Sequence, residues 1–356
     1  MFKQADIEEV LKSQFAAYPE SEAQDMLKLI YQNEFGAGHL LTDLARAKNF
    51  LEQEYSGLQE FCGHILHENI GGGQARLHLR ALKTGISLDT FFRIFEISAS
   101  SLRGCEHGYL QKAEALKGLC IDGMLPFDAA EIDSIIKNWQ AGGSRPFRHS
   151  EAYRQAYSPA YRVVDWQFCH YLDIFCGIDR MLGKKSSVTV AIDGDCASGK
   201  TTLAALLKQV YGCNVIHMDH FFLQPHQRNE ARLAEVGGNV DYERFAQEAL
   251  LPLKKGRGFS YRPFECQTQA YGQEITIVPD KLNVVEGVYA LRPEFADAYD
   301  IKIFMNVGAD EQMRRIFIRN GDEMAQRFKD EWIPMEKRYF IVFDVAAGCD
   351  HVVDNT

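Results

Sequence analysis

Hydrophobic positions follow two different patterns along the chain of 356 residues. In residues 1–184 they recur at helical spacing, as at Ile7, Val10 and Leu11, and strand-like alternation is scarce. In residues 185–356, short β-branched runs bounded by glycine alternate with helical stretches. This alternation predicts a doubly wound parallel sheet with helices on both faces. We therefore expect a mostly α-helical domain followed by an α/β domain.

Composition and charge narrow the class of protein. Hydrophobic residues make up 46% of the chain and charged residues 25%, which is enough for a core and excludes a disordered chain. The net charge is −10, and both parts are negative, which argues against a nucleic-acid surface built from bulk charge. No apolar run is long enough for a membrane helix, and the acidic, amphipathic start is unlike a signal peptide. The nine cysteines, an odd number without a C-x-x-C pair, indicate free thiols and a cytoplasmic protein.

The strongest motif follows the first β-branched run. Residues 194–201 match G-x-x-x-x-G-K-[ST], the Walker A pattern, at every fixed position. Its glycines allow backbone N–H groups to surround phosphate oxygens, and the following helix adds partial positive charge. We expect Lys200 to contact the β- and γ-phosphates and the Thr201 hydroxyl to ligate Mg²⁺. The motif predicts an α/β fold of the P-loop NTPase type whose nucleotide-binding residues are Gly194, Ala197, Ser198, Gly199, Lys200, Thr201 and Thr202.

Candidate catalytic groups follow later strands, where the ligand crevice of such a sheet lies. Asp219 is placed to accept the proton of an attacking hydroxyl, with a helix cap as the alternative. Glu286 follows an apolar run, as the Walker B carboxylate that orients Mg²⁺ does, with a surface-turn glutamate as the alternative. A helical stretch carries Arg314, Arg315 and Arg319, which are candidates to close over the phosphates or to form a solvated helix face.

Taken together, these segments resemble the uridine kinase family, which is related to phosphoribulokinase and bacterial pantothenate kinase. The matching segments are residues 197–202, 218–222, 239–241, 284–287, 300–304 and 314–315. The resemblance covers about residues 187–356. It implies a magnesium-dependent phosphotransferase that moves the γ-phosphoryl group of ATP to a hydroxyl of a nucleoside-like or other small acceptor. It also implies an arginine-bearing lid helix, represented here by Arg314 and Arg315, and Asp219 as the catalytic base.

The resemblance also implies residues on the substrate side, namely Asp219, Phe222, Asp241, Phe264 and Glu265. Asp241 lies in a stretch similar to the family's N-x-D and is equally consistent with a helix N-cap. Phe264 and Glu265 stand near the family's aromatic–acid pair, but the histidine and arginine that should follow are absent. These departures leave the acceptor open, since a site that hydrogen-bonds one substrate is sensitive to losing those groups.

The Walker A segment 194–201, from here on called the phosphate loop, also departs from the family, because Asp195 and Cys196 stand where a Gly-Ser-like run is usual. A carboxylate near a polyanion is unfavourable unless it points away or meets a donor on the substrate. Both interpretations of Asp195 stay open from the sequence.

The helical part contains three glycine-flanked polar segments, residues 33–39, 68–78 and 145–162. The last is rich in arginine and tyrosine, which suits phosphate or base binding, while helix caps and interhelical salt bridges are the ordinary alternative. A metal site from His39 and His78 with nearby glutamates fits no ligand spacing.

Three hypotheses about function follow. The first is a two-domain kinase for a small-molecule acceptor. The second is an ATP-dependent nucleic-acid-binding protein that uses residues 145–162, and the third is a regulatory ATP-binding module whose helical part binds an effector. The negative charge of both parts favours the first, without a membrane or nucleic-acid partner. Homo-oligomerisation stays open.

Overall fold

The computed structural model describes residues 6–38, 43–58, 65–100 and 104–356. The chain divides into two compact units, Met1–Cys176 and Gly177–Thr356. The division falls within the helix Leu172–Leu182, just before the boundary expected near residue 185. No helix in these described ranges combines the length and apolar character of a membrane span.

The N-terminal unit combines helices with a small antiparallel sheet. Its helices are α1 (Ile7–Ala17), α2 (Ala23–Phe35), α3 (Leu44–Ser56), α4 (Leu88–Ala99), α5 (Glu106–Ile121), α6 (Ala129–Ala141), α7 (Glu151–Tyr157) and α8 (Trp166–His170), and α9 (Leu172–Leu182) crosses the division. The strands β1 (His67–Gly71), β2 (Gln74–His78) and β3 (Tyr161–Asp165) pair in that order.

Local sequence explains where these helices begin and which face they bury. The hydroxyl of Ser87 accepts a hydrogen bond from the backbone N–H of Thr90 and caps α4. Within α4, Phe91, Ile94 and Phe95 recur at helical spacing and are buried. Polar caps and an apolar stripe thus set both the start and the orientation of the helix.

The C-terminal unit is built on a five-stranded parallel sheet of order β12-β11-β4-β10-β5. Its strands are β4 (Val188–Gly194), β5 (Asn214–His217), β10 (Leu282–Glu286), β11 (Ile301–Asn306) and β12 (His351–Asp354), and two small antiparallel pairs join β6 (Phe259–Tyr261) to β9 (Ile275–Ile277) and β7 (Phe264–Glu265) to β8 (Ala270–Tyr271). The predicted parallel α/β fold is confirmed.

Helices connect the strands of this sheet. They are α10 (Lys200–Tyr211), α11 (Glu230–Ala234), α12 (Tyr242–Phe245), α13 (Leu251–Lys254), α14 (Ala309–Arg327) and α15 (Ile333–Val342). Wider helical turns join α12 to α13 and α14 to α15, and α14 is kinked at Gly321.

The strand register brings the candidate site residues together at the carboxyl edge of the parallel sheet. Glu286 of β10 lies opposite Ile192 of β4 on one side and His217 of β5 on the other. Gly194 lies opposite Met305 of β11. Strand β4 is followed along the chain by β5 and β10 on one side of it and by β11 and β12 on the other, so the strand order reverses at β4. Ligands of such sheets bind at the carboxyl ends of the strands, where the order reverses.

Candidate active site

The phosphate loop links β4 to α10 and depends on glycine at its first position. Gly194 has φ of +133°, and a Cβ atom there would lie 1.9 Å from the carbonyl oxygen of Met305. At the other end, Gly199 caps α10 with φ of +100°, so the helix starts directly at Lys200. The loop therefore ends in the free N–H groups of a helix N-terminus, which favour an anion.

Lys200 and Ser198 are the buried polar side chains of the loop. The Lys200 ammonium donates to the carbonyl oxygens of Gly194 and Asp195, at 2.8 and 2.7 Å. The Ser198 hydroxyl is buried and has no hydrogen-bond partner within the described part of the chain. Buried hydroxyls are normally hydrogen-bonded, so this group is an unused donor within the loop.

Side chains from α14, α15 and the C-terminal segment hold the loop from outside. They bond its peptide groups, as the following pairs show: Glu336 with Cys196 N (2.9 Å), Gln312 with Cys196 O (3.0 Å), Arg315 with Ala197 O (3.2 Å) and Asn355 with Ser198 O (2.6 Å). The carboxylate of Asp195 accepts from the backbone N–H of Val307 at 3.3 Å, which directs it toward the end of β11. Hydrogen bonds from distant parts of the chain thus fix the shape of the loop.

Thr201 and Glu286 meet at the carboxyl edge of the sheet. The Thr201 hydroxyl lies 3.3 and 3.4 Å from the two carboxylate oxygens of Glu286, which is buried. The His217 ring is hydrogen-bonded to the same carboxylate, and this bond raises the pKa of His217. Thr201 and Glu286 were predicted from the sequence, whereas His217 was not. Its place at a strand end two residues before Asp219 was the available signal.

Asp219 occupies the short helical turn Met218–Phe221 that follows β5. Its side chain is exposed, and its carboxylate accepts no hydrogen bond from the described residues. Burial by the surrounding protein, together with the Glu286 charge, raises the pKa of Asp219, while Lys200 and Arg319 oppose this shift. The Asp219 carboxyl is thus accessible to solvent, and its protonated form is favoured relative to that of a free aspartate.

The three arginines of α14 that the sequence marked as candidates have different surroundings. Arg314 is exposed and its guanidinium forms a two-point ion pair with Glu311, at 2.6 and 2.7 Å. Arg315 shares Glu311 and also bonds the phosphate loop. Arg319 packs against Phe328, and its charge lowers the pKa of Asp219. Arg314 and Arg315, the two named lid candidates, are therefore engaged with neighbouring groups.

The predicted substrate-side residues surround the turn that carries Asp219. Asp241 is buried and caps α12, accepting from the N–H of Arg244 at 3.0 Å, and its backbone bonds Phe221. Phe222 pairs with the strand-like residue just before Asp241. Strand β7, with Phe264 buried and Glu265 exposed, packs beside the turn.

Comparison with known proteins gives a partial similarity. The chain matches none of the protein-family models. It is similar to the uridine kinase of Chlamydia pneumoniae, with 28% identity over 146 residues that cover 38% of this chain. The match covers 65% of the length of that curated relative. The predicted resemblance to a uridine kinase is thereby confirmed.

Solved structures give the same kind of partial match. A possible uridine kinase from Bacillus stearothermophilus is 21% identical, with a TM-score of 0.38, and covers 51% of this chain and 100% of its own. Shikimate kinase from Bacteroides thetaiotaomicron is 14% identical, with a TM-score of 0.27, and covers 47% of this chain and 86% of its own.

The polar segments of the N-terminal unit meet in a buried network. The guanidinium of Arg76 donates to Gln14 and Gln32, both at 3.0 Å, and faces the Glu68 carboxylate at 3.7 Å. His149 lies between Asp25 and Tyr161, at 2.8 and 2.5 Å. His39 lies outside the described residues, and the rest of the described chain holds no cluster of three metal-ligating side chains.

Proposed function

We propose that the C-terminal unit transfers the γ-phosphoryl group of ATP to a hydroxyl of a small acceptor. The observation that carries this proposal is the meeting of three features at one edge of the parallel sheet. These are the phosphate loop held by protein hydrogen bonds, the neighbouring oxygens of Thr201 and Glu286, and the Asp219 carboxylate without a hydrogen-bond partner among the described residues. The similarity to a uridine kinase supports a nucleoside-like acceptor.

The residues present fit ATP and Mg²⁺. The unused hydroxyl of Ser198 and the N–H groups at the start of α10 are donors suited to phosphate oxygens. Thr201 and Glu286 supply hard oxygen ligands, and Mg²⁺ usually takes only one or two protein ligands beside water and phosphate. When bound, the ion neutralises charge that develops on the phosphates. These two residues would hold it.

Each nearby side chain has one part in the proposed reaction. Asp219 accepts the proton of the acceptor hydroxyl at a carboxylate oxygen. Lys200 adds positive charge to the loop, and Arg319 on the kinked helix α14 is the arginine best placed to approach the transferred group. Arg314 and Arg315 remain candidates once Glu311 releases them.

The acceptor is bound beside Asp219 in this proposal. Phe222, Phe264 and Glu265 place two aromatic rings and an exposed carboxylate around the turn 218–221. The buried Asp241 carboxylate accepts from the N–H of Arg244 and the amide of Gln227, and so supports this region from beneath. Such a set suits a hydroxylated acceptor with a flat ring, as in a nucleoside.

An acceptor screen tests the proposal. ADP release is measured over nucleosides, sugars and pantothenate, with wild type, Asp219→Asn and the control Asp297→Asn, an exposed aspartate before β11. We expect one acceptor class to stimulate ADP release. Asp219→Asn should lose this stimulation by about 10²–10⁴-fold while ATP still binds, since a positioned base contributes that much. Absence of any stimulating acceptor, or an unchanged rate in Asp219→Asn, would contradict the proposal.

A further inference from the structure

Asp193, the last residue before the phosphate loop, is completely buried and takes no part in the steps above. Its carboxylate accepts four hydrogen bonds. The donors are the backbone N–H groups of Gly194 (2.7 Å), Tyr289 (3.2 Å) and Leu291 (2.9 Å), and the hydroxyl of Tyr339 (2.9 Å). Three of the partners are backbone N–H groups, which can only donate, so both oxygens of the Asp193 carboxyl group act as acceptors.

These donors belong to three separate segments, and one of them is the turn that begins at Glu286. In this turn Tyr289 has φ of +75°, a left-handed conformation that a tyrosine rarely adopts. Gly287 has φ of +139°, and a Cβ atom there would lie 2.7 Å from Cβ of Met218. The turn is therefore both strained and tightly packed, and Asp193 bonds the N–H of its strained residue.

We propose that Asp193 is a positioning residue that fixes the turn after Glu286 against the phosphate loop, so that Glu286 and Thr201 face the same magnesium ion. This inference rests on the proposed function. Tyr339 of α15 closes the arrangement from the other side, and its ring packs on Tyr289 at 4.9 Å between centroids. Without Asp193, the turn loses the acceptor for two of its N–H groups, and the Glu286 carboxylate loses its fixed distance from Thr201.

Two variants separate this role from simple stability. Asp193→Asn keeps the shape of the side chain but places an amide N–H₂ against a backbone N–H, so at least one donor of the turn is left unpaired. Tyr339→Phe removes only the hydroxyl and leaves the three backbone donors. Tyr299→Phe is the matched control, because Tyr299 belongs to the same hydrophobic cluster and its buried hydroxyl has no partner in the described part of the chain.

The experiment measures ADP affinity of the full chain by calorimetry, with Mg²⁺ and with EDTA, beside thermal unfolding. The affinity gain from Mg²⁺ should fall about tenfold in Asp193→Asn and about threefold in Tyr339→Phe, since a lost hydrogen bond to a charged group has an effect of this order. Tyr299→Phe should keep the wild-type gain. A residue that only stabilises the fold would lower the unfolding temperature and leave this gain unchanged.

The outcomes distinguish the inference from the proposed function. A folded Asp193→Asn chain whose ADP affinity rises with Mg²⁺ as much as in the wild type overturns the inference. If Asp193→Asn does not fold, an unchanged gain in Tyr339→Phe overturns it, and a reduced gain beside a normal Tyr299→Phe supports it. A wild-type chain that binds no ADP, or that binds ADP equally well with and without Mg²⁺, contradicts the proposed function itself.

Discussion

Each unit of the protein contains a cluster of charged side chains, and the two clusters differ in how far their hydrogen-bonding groups are used. In the N-terminal unit, Glu68 accepts from Gln14 at 3.0 Å and from His78 at 2.6 Å, and also from Tyr18. In the C-terminal unit, Asp219 accepts no hydrogen bond from the described residues. A saturated carboxylate holds a fold together, whereas an unsaturated one is available to a substrate.

The pKa of the carboxyl group is therefore shifted in opposite directions in the two units. Burial opposes ionisation of Glu68, but the bond with His78 and the charge of Arg76 lower the pKa of Glu68 to about 2. At Asp219, which is exposed but surrounded by protein atoms, loss of solvation and the like charge of Glu286 act together and raise the pKa. The comparison teaches that partners, more than burial, separate a structural carboxylate from a candidate base.

Removing Arg76 should produce the largest effect in the N-terminal cluster. Arg76→Ala leaves Glu68 buried without its cation, and breaking a buried pair in this way costs about 3–5 kcal/mol. Hydrogen exchange followed by mass spectrometry should show that amides of residues 6–38 and 65–100 lose protection. Unchanged protection would mean that this network is not what stabilises the unit.

The pH dependence of the reaction tests the other side of the comparison. Asp219 must be ionised to accept a proton, so the rate should fall tenfold for each pH unit below its pKa, or about a hundredfold over two units. Because that pKa is raised, the acid limb of kcat should lie above the usual aspartate value of about 3.9.

A profile of kcat against pH at saturating ATP and acceptor checks this prediction. Glu286, His217, Lys200 and Arg319 also face the carboxylate, so the same profile is recorded for Asp219→Asn. Its residual rate should lack the acid limb. An identical limb in the variant would assign the titration to another group.

His149 should make the N-terminal unit sensitive to mild acid. Burial lowers the pKa of His149 to about 4, although its bond with Asp25 opposes the shift. An unfolded histidine binds a proton near pH 6.5, so the unfolded state takes up protons first as pH falls from 6.5 to 4. Stability present above pH 6.5 is thus lost over this window, by about 1–3 kcal/mol.

Unfolding by urea at pH 7 and pH 4.5 measures this loss. Arg76, Lys28 and Asp25 face the ring, and the charges of Arg76 and Lys28 disfavour its protonation. His149→Gln should be less stable at pH 7 and should show a smaller change between the two pH values. A full-size change in the variant would contradict the assignment.

The parts of the site that depend on local sequence could be predicted. The phosphate loop requires glycine at fixed positions, and parallel strands bring Asp219 and Glu286 to one edge. Asp193 and Glu336 were missed because they bond groups far away along the chain: Tyr339 lies 146 residues from Asp193, and Cys196 lies 140 residues from Glu336. An aspartate at the end of an apolar strand was the unused signal at position 193.

The N-terminal sheet was missed for a different reason. Strand β2 alternates polar and apolar residues but buries both faces, including Gln74, Arg76 and His78. Alternation normally predicts a solvent-facing polar side. Only the distant partners on α1 and α2 explain why this polar side is buried.

The smallest expected effect belongs to Arg154, in the arginine-rich segment 145–162. Its exposed ion pair with Glu151 has an N···O distance of 2.6 Å within α7, and such exposed helical pairs contribute about 0.3–0.5 kcal/mol. Arg154→Ala should lower the urea midpoint slightly at low salt and not at all at 1 M salt, where exposed charges are screened. If the chain binds RNA, and if Arg154→Ala weakens that binding in a salt-dependent way, residues 145–162 form a nucleic-acid surface. The contrast between a structural N-terminal cluster and a chemical C-terminal one would then fail.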